Sequence, residues 1–116
     1  MENKVMNECT IVIGKDFSDT PGGRYPTDGP WNGQKFREEW LIPALRTHDK
    51  VVVDVSGVEG YGSSFLEEVF GGIVRANIMP KAELVAKLSW IASDTTKECY
   101  LGRIATYFRA ELVKQK

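Results

Sequence analysis

A run of β-branched residues that leads through a glycine-rich turn into a helical pattern is the feature that most constrains this fold. Residues 51–55 read Val-Val-Val-Asp-Val, with Asp54 as the one polar member, which predicts a central β-strand covered on both faces. Apolar residues then recur at the spacing of one buried helical stripe: Phe65, Leu66, Val69, Phe70, Ile73 and Val74. Ser63 and Ser64 lie at the junction, where an open α/β sheet usually binds its ligands.

Strand and helix patterns alternate along the rest of the chain. Strands are predicted at 11–13 and 89–91, and helices at 34–45, 65–76 and 97–113. Pro43 is expected to kink or end the first helix. Gly71-Gly72 inside a helical pattern predicts close packing against a neighbouring element. The alternation predicts a single α/β domain over residues 1–116, in which helices pack on a small mixed sheet.

Composition excludes several classes of protein. The chain has 116 residues, of which 42% are hydrophobic and 27% are charged, and its net charge is −1. These values predict an ordinary soluble globule without a basic surface for nucleic acid. No apolar run approaches the roughly 18 residues of a membrane span, and the first eight residues lack the hydrophobic core of a signal peptide. We therefore expect a cytoplasmic protein that does not associate with membranes.

The cysteines and the histidine give no recognisable set of metal ligands. Cys9 and Cys99 are expected to be two buried thiols, and His48 is expected at the surface. Ser63 and Ser64 lack the Gly-x-Ser-x-Gly elbow that exposes a catalytic nucleophile. The sequence therefore predicts no cofactor and no metal, and it favours a protein that is not an enzyme.

Residues 17–33 form a long connection that is rich in proline and glycine. Tyr25 and Trp31 are expected to pack against the domain and to order this loop, and a hairpin turning at Asp28-Gly29 is expected. Arg24 presents a planar guanidinium beside two glycines, where the backbone can approach a ligand closely. Two roles remain open for Arg24. In the first, the Arg24 side chain holds its own loop in place through Asp28, Asp54 or a carbonyl. In the second, it binds an anionic ligand or an acidic partner.

Four segments carry a resemblance to a known family: Pro21-Gly-Gly-Arg-Tyr25, Asp28-Gly-Pro-Trp-Asn-Gly-Gln-Lys-Phe-Arg37, Val51-Val-Val-Asp-Val-Ser-Gly57 and Gly62-Ser-Ser-Phe-Leu-Glu-Glu-Val-Phe-Gly-Gly72. The chain resembles the STAS-like family of unknown function, relatives of the sulphate-transporter and anti-sigma-factor-antagonist domains. The resemblance implies a STAS-like α/β fold. In the antagonists a partner kinase phosphorylates the second serine of Asp-Ser-Ser-Gly, a position that corresponds to Ser64. Here Gly62 and Phe65 flank the serine pair instead.

The resemblance also implies a non-enzymatic regulatory module with a protein partner, either an ATPase-type serine or histidine kinase or another signalling protein. We expect this partner to dock on the turn and helix start at residues 60–68. Ser64 and Ser63 are the candidate phosphoacceptors, and the candidate contact residues are Arg24, Tyr25, Asp28, Tyr61, Glu67 and Glu68. A second interpretation of Ser64 is a capping box, in which its hydroxyl accepts from the Glu67 amide and the Glu67 carboxylate reaches back.

A small anionic-ligand binder or an enzyme is the alternative class of function. It would use Arg24, Asp28 and the hydroxyls of Ser63 and Ser64 around one cleft. Geometry separates the two classes, because a convex helix start favours docking, whereas Arg24 and Ser64 converging on a closed pocket would favour a ligand.

Overall fold

Three parallel β-strands form the sheet of this protein. In a computed structural model, which describes residues 7–115, the strands are β1 (Glu8–Val12), β2 (Lys50–Asp54) and β3 (Leu88–Ile91), hydrogen-bonded in the order β1-β2-β3. The α/β class and the central position of β2 are confirmed. A mixed sheet was expected, but all three strands are parallel. Both connections between strands contain helices and return the chain to the same end of the sheet, which makes successive strands parallel. The prediction about the first eight residues falls mostly outside the described range.

The described residues contain six α-helices, of which the first five lie in the connections between the strands and the sixth follows β3. They are α1 (Gly33–Phe36), α2 (Ile42–Thr47), α3 (Ser63–Phe70), α4 (Gly72–Arg75), α5 (Lys81–Lys87) and α6 (Cys99–Lys114). Shorter turns lie at Ile13–Phe17, which is π-helical, and at Pro26–Asp28 and Thr95–Lys97, which are 3₁₀-helical. The turn at Pro26–Asp28 replaces the expected hairpin. No helix between residues 7 and 115 is long and apolar enough to cross a bilayer.

A π-helical segment, Arg37–Leu41, joins α1 to α2 without a break. The helix predicted at 34–45 therefore continues past Pro43 instead of ending there. The Ile42 N–H donates to the Arg37 carbonyl, five residues back, immediately before the proline. Pro43 has no N–H and cannot donate an α-helical hydrogen bond. The wider π-helical turn comes directly before this position, and the helix continues through Pro43 into α2.

The core lies between the sheet and the helices. Its largest fully buried side chains include Phe36, Leu41, Leu45, Phe65, Leu66, Phe70 and Ile104. Phe17 adds edge-on aromatic contacts with Trp31, Phe36 and Trp40, at ring-centroid distances of 5.4, 5.1 and 5.1 Å. Through Trp31, these contacts attach the proline-rich loop to the body of the domain.

The two cysteines are free thiols. Cys9 is half-buried in β1, and Cys99 is exposed at the first position of α6. The prediction of two buried thiols is therefore wrong for Cys99, which lies outside the buried stripe of α6 formed by Ile104, Phe108 and Glu111.

The sheet is buried on one face only. Val51 and Val53 of β2 are fully buried, whereas Val52 between them is half-buried. Thr10 and Ser89, which flank Val52 on the neighbouring strands, are exposed. The prediction that β2 is covered on both faces is therefore wrong. A β-branched run suits any pleated surface, so it does not distinguish a strand covered on two faces from one covered on a single face.

Candidate functional site

Asp54 ends β2 and ties together the segments that follow β2 and β3. Its Oδ1 accepts hydrogen bonds from the backbone N–H groups of Ser56 at 3.0 Å and Ser93 at 3.2 Å. Burial acts to raise the pKa of the Asp54 carboxyl, but the hydrogen bonds from Ser93 and Ser56 outweigh it and lower the pKa. Ser56 Oγ accepts from the Asp94 N–H at 2.8 Å. These hydrogen bonds hold the segment after β2, which leads to α3, against the segment that follows β3.

Tyr61, a predicted contact residue, lies inside the domain. It is 8% exposed, and its hydroxyl donates to the Val55 carbonyl at 2.8 Å. Its backbone N–H donates to the Tyr100 hydroxyl at 3.2 Å, and its ring stacks on Phe65 at 5.8 Å. Burial, with a smaller effect from the negative charge of Asp54, raises the pKa of the Tyr61 hydroxyl. The exposed apolar contact expected at Tyr61 is therefore not available.

Ser63 and Ser64 are the first two residues of α3, and both are exposed. Gly62, in extended conformation, occupies the N-cap position, and no side chain caps the helix. Within the described residues neither serine hydroxyl makes a hydrogen bond. The capping box expected between Ser64 and Glu67 is therefore wrong. The helix begins at Ser63 with Gly62 as its N-cap, so Ser64 does not occupy the N-cap position that a capping box requires. The Glu67 carboxylate binds two arginines instead of turning back to the Ser64 amide.

Three arginines and three glutamates form what we call the ion cluster: Arg24, Arg37, Arg75, Glu67, Glu68 and Glu111. Nη1 of Arg24 donates to Glu67 and, at 2.9 Å, to Oε1 of Glu68. The hydrogen bond with Glu67 raises the pKa of Arg24 more than burial lowers it. Arg24 is thus held by carboxylates of α3, and the expectation that Asp28 or Asp54 would hold its side chain is wrong.

The ion cluster links four helical segments. Nη1 of Arg75, in α4, bridges Oε2 of Glu67 at 2.7 Å and Oε1 of Glu111 of α6 at 2.8 Å. Nη1 of Arg37 donates to Glu68, which is 5% exposed, as is Glu111. Burial acts to raise the pKa of Glu67, but the hydrogen bonds from Arg75 and Arg24 outweigh this effect, and the pKa is lowered. The six formal charges balance, so the buried carboxylates are compensated where water is excluded.

Gly71 and Gly72 make room for the ion cluster, and the predicted close packing against a neighbouring element is found at Gly72, which lies against Arg37. A Cβ on Gly71 would lie 2.2 Å from Oε2 of Glu67, and a Cβ on Gly72 would lie 2.5 Å from Nη1 of Arg37. Sequence reasoning missed three members of the cluster, because each reads as part of an ordinary polar helix face: Arg37, Arg75 and Glu111. The glycine pair was the one signal that something packs closely there.

Comparison with known families places the chain in one of them. A family model described as a STAS-like domain of unknown function (DUF4325) matches residues 32–98, more than half of the chain. The chain belongs to this family. The resemblance and the α/β class predicted from the motifs are therefore confirmed. Comparison with curated proteins and with solved structures gave no significant match. The matched part of this STAS-like domain contains β2, the serine pair and β3, whereas Arg24 and Glu111 lie outside it.

In this STAS-like domain, Asp28 shapes the loop that presents Arg24. Oδ2 of Asp28 accepts from the backbone N–H groups of Tyr25 at 2.9 Å and Arg24 at 3.0 Å, and these two hydrogen bonds lower the pKa of Asp28. The Tyr25 side chain is 47% exposed, so the prediction that it packs against the domain is wrong. Trp31 does pack, edge-on against Phe17, although 37% of it is exposed.

A cleft of about 320 Å³ opens between the proline-rich loop and the following helix. Its lining residues are Pro26, Gly29, Pro30, Asn32, Gln34, Lys35, Glu38 and Glu39. Arg24, Asp28 and the serine pair do not line it. Within residues 7–115, no three side chains of histidine, cysteine, aspartate or glutamate are grouped so that they could hold a metal ion. The side chains required for the ligand-binding alternative therefore do not meet at this cleft.

Proposed function

We propose that this STAS-like domain is a non-enzymatic regulatory module that binds a signalling protein through residues 60–68, and that phosphorylation of Ser64 switches this contact. The observation that carries the proposal is the pair of exposed hydroxyls at the start of α3, neither of which makes a hydrogen bond within the described chain. A hydroxyl that caps no helix can be modified without loss of a stabilising bond.

The start of α3 is a firm platform for such a contact. Phe65 and Leu66, which follow the serine pair directly, are fully buried. Tyr61 on the other side is held by its hydroxyl and its backbone N–H. The segment 62–64 is therefore exposed between two buried anchors. A partner would meet a surface of fixed shape and would spend little free energy on ordering it.

The electrostatic surroundings are compatible with a phosphate on Ser64. A phosphoserine adds a charge of about −1.5 to −2, which the N-terminal end of a helix favours. Glu67 and Glu68, one turn further on, would repel it if they were free. Both carboxylates are paired with arginines in the ion cluster, which weakens that repulsion. The partner we propose is an ATPase-type serine or histidine kinase or another signalling protein, as the family resemblance implies.

The ligand-binding or enzymatic alternative has less support. Its two charged residues already have partners within the domain. Arg24 pairs with Glu67 and Glu68, and Asp28 accepts from two backbone N–H groups of its own loop. A ligand would have to break these contacts before it could use either side chain.

Affinity capture with phosphorylation analysis tests the proposed function. Four baits are expressed in cells of the source organism: the tagged wild type, Ser64→Ala, Ser64→Asp and a control. The control is Thr106→Asp, at an exposed position of α6. Intact-mass measurement of the wild type is expected to show a phosphorylated species that Ser64→Ala lacks. Hydrogen exchange on the purified complex is expected to show protection at residues 57–68.

Aspartate at position 64 is expected to change the amount of captured partner at least about fivefold, a difference of roughly 1 kcal/mol in binding. Thr106→Asp adds the same charge far from the serine pair and is expected to bind as the wild type does. Equal capture by all four baits, together with no phosphorylated species, would contradict the proposal. Protection confined to another surface would move the docking site away from α3.

A further inference from the structure

An asparagine followed by a glycine lies where the proline-rich loop meets α1. Asn32 is 2% exposed, and Gly33 is the first residue of α1. Oδ1 of Asn32 accepts from the Lys35 N–H at 2.9 Å, and its Nδ2 donates to the Gly29 carbonyl at 2.9 Å. Asn32 therefore holds both the end of the loop that carries Arg24 and the start of the helix that follows it.

The Asn32-Gly33 pair has a chemical reactivity of its own. An asparagine loses ammonia when the backbone nitrogen of the next residue attacks its side-chain amide carbon. Glycine as the next residue favours this ring closure, because it has no side chain to obstruct the attack and its backbone is the least restricted. Asn77 is exposed, but it precedes the β-branched Ile78, which hinders the same attack. In the unfolded chain Asn32 is therefore expected to react faster than Asn77.

The folded domain blocks this reaction at both reacting groups. The Gly33 N–H donates to the Gly23 carbonyl at 3.0 Å, so the attacking nitrogen cannot readily lose its proton. Both polar atoms of the Asn32 amide are held by the hydrogen bonds to Lys35 and Gly29. Ring closure requires these contacts to open together, and local openings of this kind have a free energy of their own. The reaction rate should therefore follow the population of the open state.

Arg24 joins the protected segment to α3. The Gln34 N–H donates to the Arg24 carbonyl at 3.0 Å, next to the hydrogen bond made by Gly33. The Arg24 side chain donates to Glu67 and Glu68 of α3. The backbone of Arg24 is thus paired with the start of α1, and its side chain is held by the ion cluster. Loss of the ion pairs would leave this end of the loop attached through its main chain only.

We propose that Asn32 is a site of spontaneous deamidation, and that the ion pairs of Arg24 with α3 set its rate by holding the loop closed. In the open state the Gly33 nitrogen gives its proton to hydroxide and forms a bond to Cγ of Asn32. The Cγ–Nδ2 bond then breaks, ammonia leaves and a five-membered succinimide ring remains. Water adds to one of the two ring carbonyls and opens the ring to aspartate or isoaspartate. The net reaction consumes one water and releases one ammonia.

The product makes an opening of the loop permanent. Aspartate has no amide N–H to donate to the Gly29 carbonyl, and its charge would lie where Asn32 is 2% exposed. Isoaspartate adds one methylene group to the main chain and displaces Gly33. There is little room for this shift, since even a Cβ on Gly33 would lie 2.8 Å from Cβ of Glu68. This chemistry does not depend on the function proposed for Ser64.

Deamidation of the full chain at neutral pH is followed by peptide mapping with mass spectrometry. The mass gain at Asn32 is expected to be at least about a hundredfold slower in the folded protein than in concentrated urea, where it should be faster than at Asn77. The Gly33 amide must lose its proton in hydrogen exchange as it does in ring closure. Its protection against exchange should therefore match the slowing of deamidation within about threefold.

Two variants test the role of Arg24. Arg24→Gln is expected to speed deamidation of the folded protein at least about tenfold, because the loop loses its ion pairs with α3. Arg75→Gln is the matched control, since it removes an arginine from the same ion cluster whose partners lie on α3 and α6. It is expected to change the rate less than about threefold.

Three results would overturn the proposal. The first is an equal rate at Asn32 in the folded protein and in urea, or no mass gain there in either. The second is a slowing of deamidation that does not match the protection of the Gly33 amide. The third is an equal effect of Arg24→Gln and Arg75→Gln, which would assign the opening to unfolding of the whole domain. If Arg24→Gln fails to fold by circular dichroism, the first two comparisons on the wild type remain decisive.

Discussion

Arg37 donates from one guanidinium nitrogen, Nη1, to both the side-chain carboxylate and the main-chain carbonyl of Glu68. The two side chains are 12% and 7% exposed, so the pair lies largely out of water. It joins the π-helical segment Arg37–Leu41 to α3, the helix that begins with the serine pair. A buried ion pair is weak evidence for net stabilisation, but removal of one partner leaves the other charge desolvated and costs much more.

Replacement of Arg37 by methionine is expected to lower the free energy of unfolding by about 3 kcal/mol, because the buried carboxylate of Glu68 loses its closest cation. Urea denaturation at neutral pH measures the change. Lys35→Met is the matched control, since Lys35 pairs with the exposed Glu39 at 3.2 Å and its Nζ lies 5.9 Å from the centre of the Trp31 ring, and the loss of these contacts should cost no more than about 1 kcal/mol. Equal losses in the two variants would show that the ion cluster contributes no more than a surface pair.

Gly71→Ala is expected to destabilise the domain by about 1–3 kcal/mol, because the added methyl group would overlap Oε2 of Glu67 and force the ion cluster apart. Gly102→Ala is the control. Gly102 lies within α6 with no atom near the position of a Cβ, so alanine there should stabilise by about 0.5–1 kcal/mol through helix propensity. Thermal unfolding of the two variants should therefore shift in opposite directions, and a stabilised Gly71→Ala protein would refute the packing argument.

The secondary structure could be predicted because it depends on local patterns. The strand predicted at 51–55 is found at Lys50–Asp54, and the helix predicted from residue 65 begins at Ser63. Apolar periodicity and nearby glycines were sufficient for both. The same local signals supported the family resemblance in part, since two of its four segments lie in this strand, turn and helix.

The features that could not be predicted depend on contacts between residues distant in sequence. The capping box at Ser64 had correct spacing, but the helix begins one residue earlier, and Arg24 and Arg75 bind the Glu67 carboxylate from 43 and 8 residues away. The parallel direction of the strands and the partial exposure of Val52 depend on the paths of the connections between strands, because these paths decide which face of the sheet the helices cover. Nothing in the sequence separates Arg37 from the polar residues around it, and only the position of Glu68 in space shows that Arg37 is part of a buried ion pair.

The stability of the domain is expected to fall in acid through Glu67. Hydrogen bonds from Arg75 and Arg24 outweigh burial and hold the pKa of this carboxyl below 4.5, its ordinary value. A carboxyl whose pKa is lower in the folded state contributes stability above its unfolded pKa, and this contribution is lost as the pH falls through the folded pKa. Glu67→Gln should therefore be less stable than the wild type at pH 7, and the difference should shrink below about pH 4.5. A difference that stays constant from pH 7 to acid would exclude this origin.

Ser64→Ala is expected to change the free energy of unfolding by no more than about 0.5 kcal/mol, because its exposed hydroxyl makes no cap bond at the start of α3. Asn32 provides the contrast. Its Oδ1 accepts from the Lys35 N–H at 2.9 Å and caps α1, its Nδ2 donates to the Gly29 carbonyl at 2.9 Å, and it is 2% exposed. Asn32→Ala should therefore cost about 1–2 kcal/mol.

Urea denaturation of the two variants under one set of conditions decides this prediction. A large cost for Ser64→Ala would mean that its hydroxyl stabilises α3 after all, and any loss of partner binding in that variant could then follow from a weakened helix. A small cost makes Ser64→Ala a folded protein that lacks only the hydroxyl. Any change in partner binding by Ser64→Ala could then be attributed to the surface at residues 60–68, because the helix beneath it would be intact.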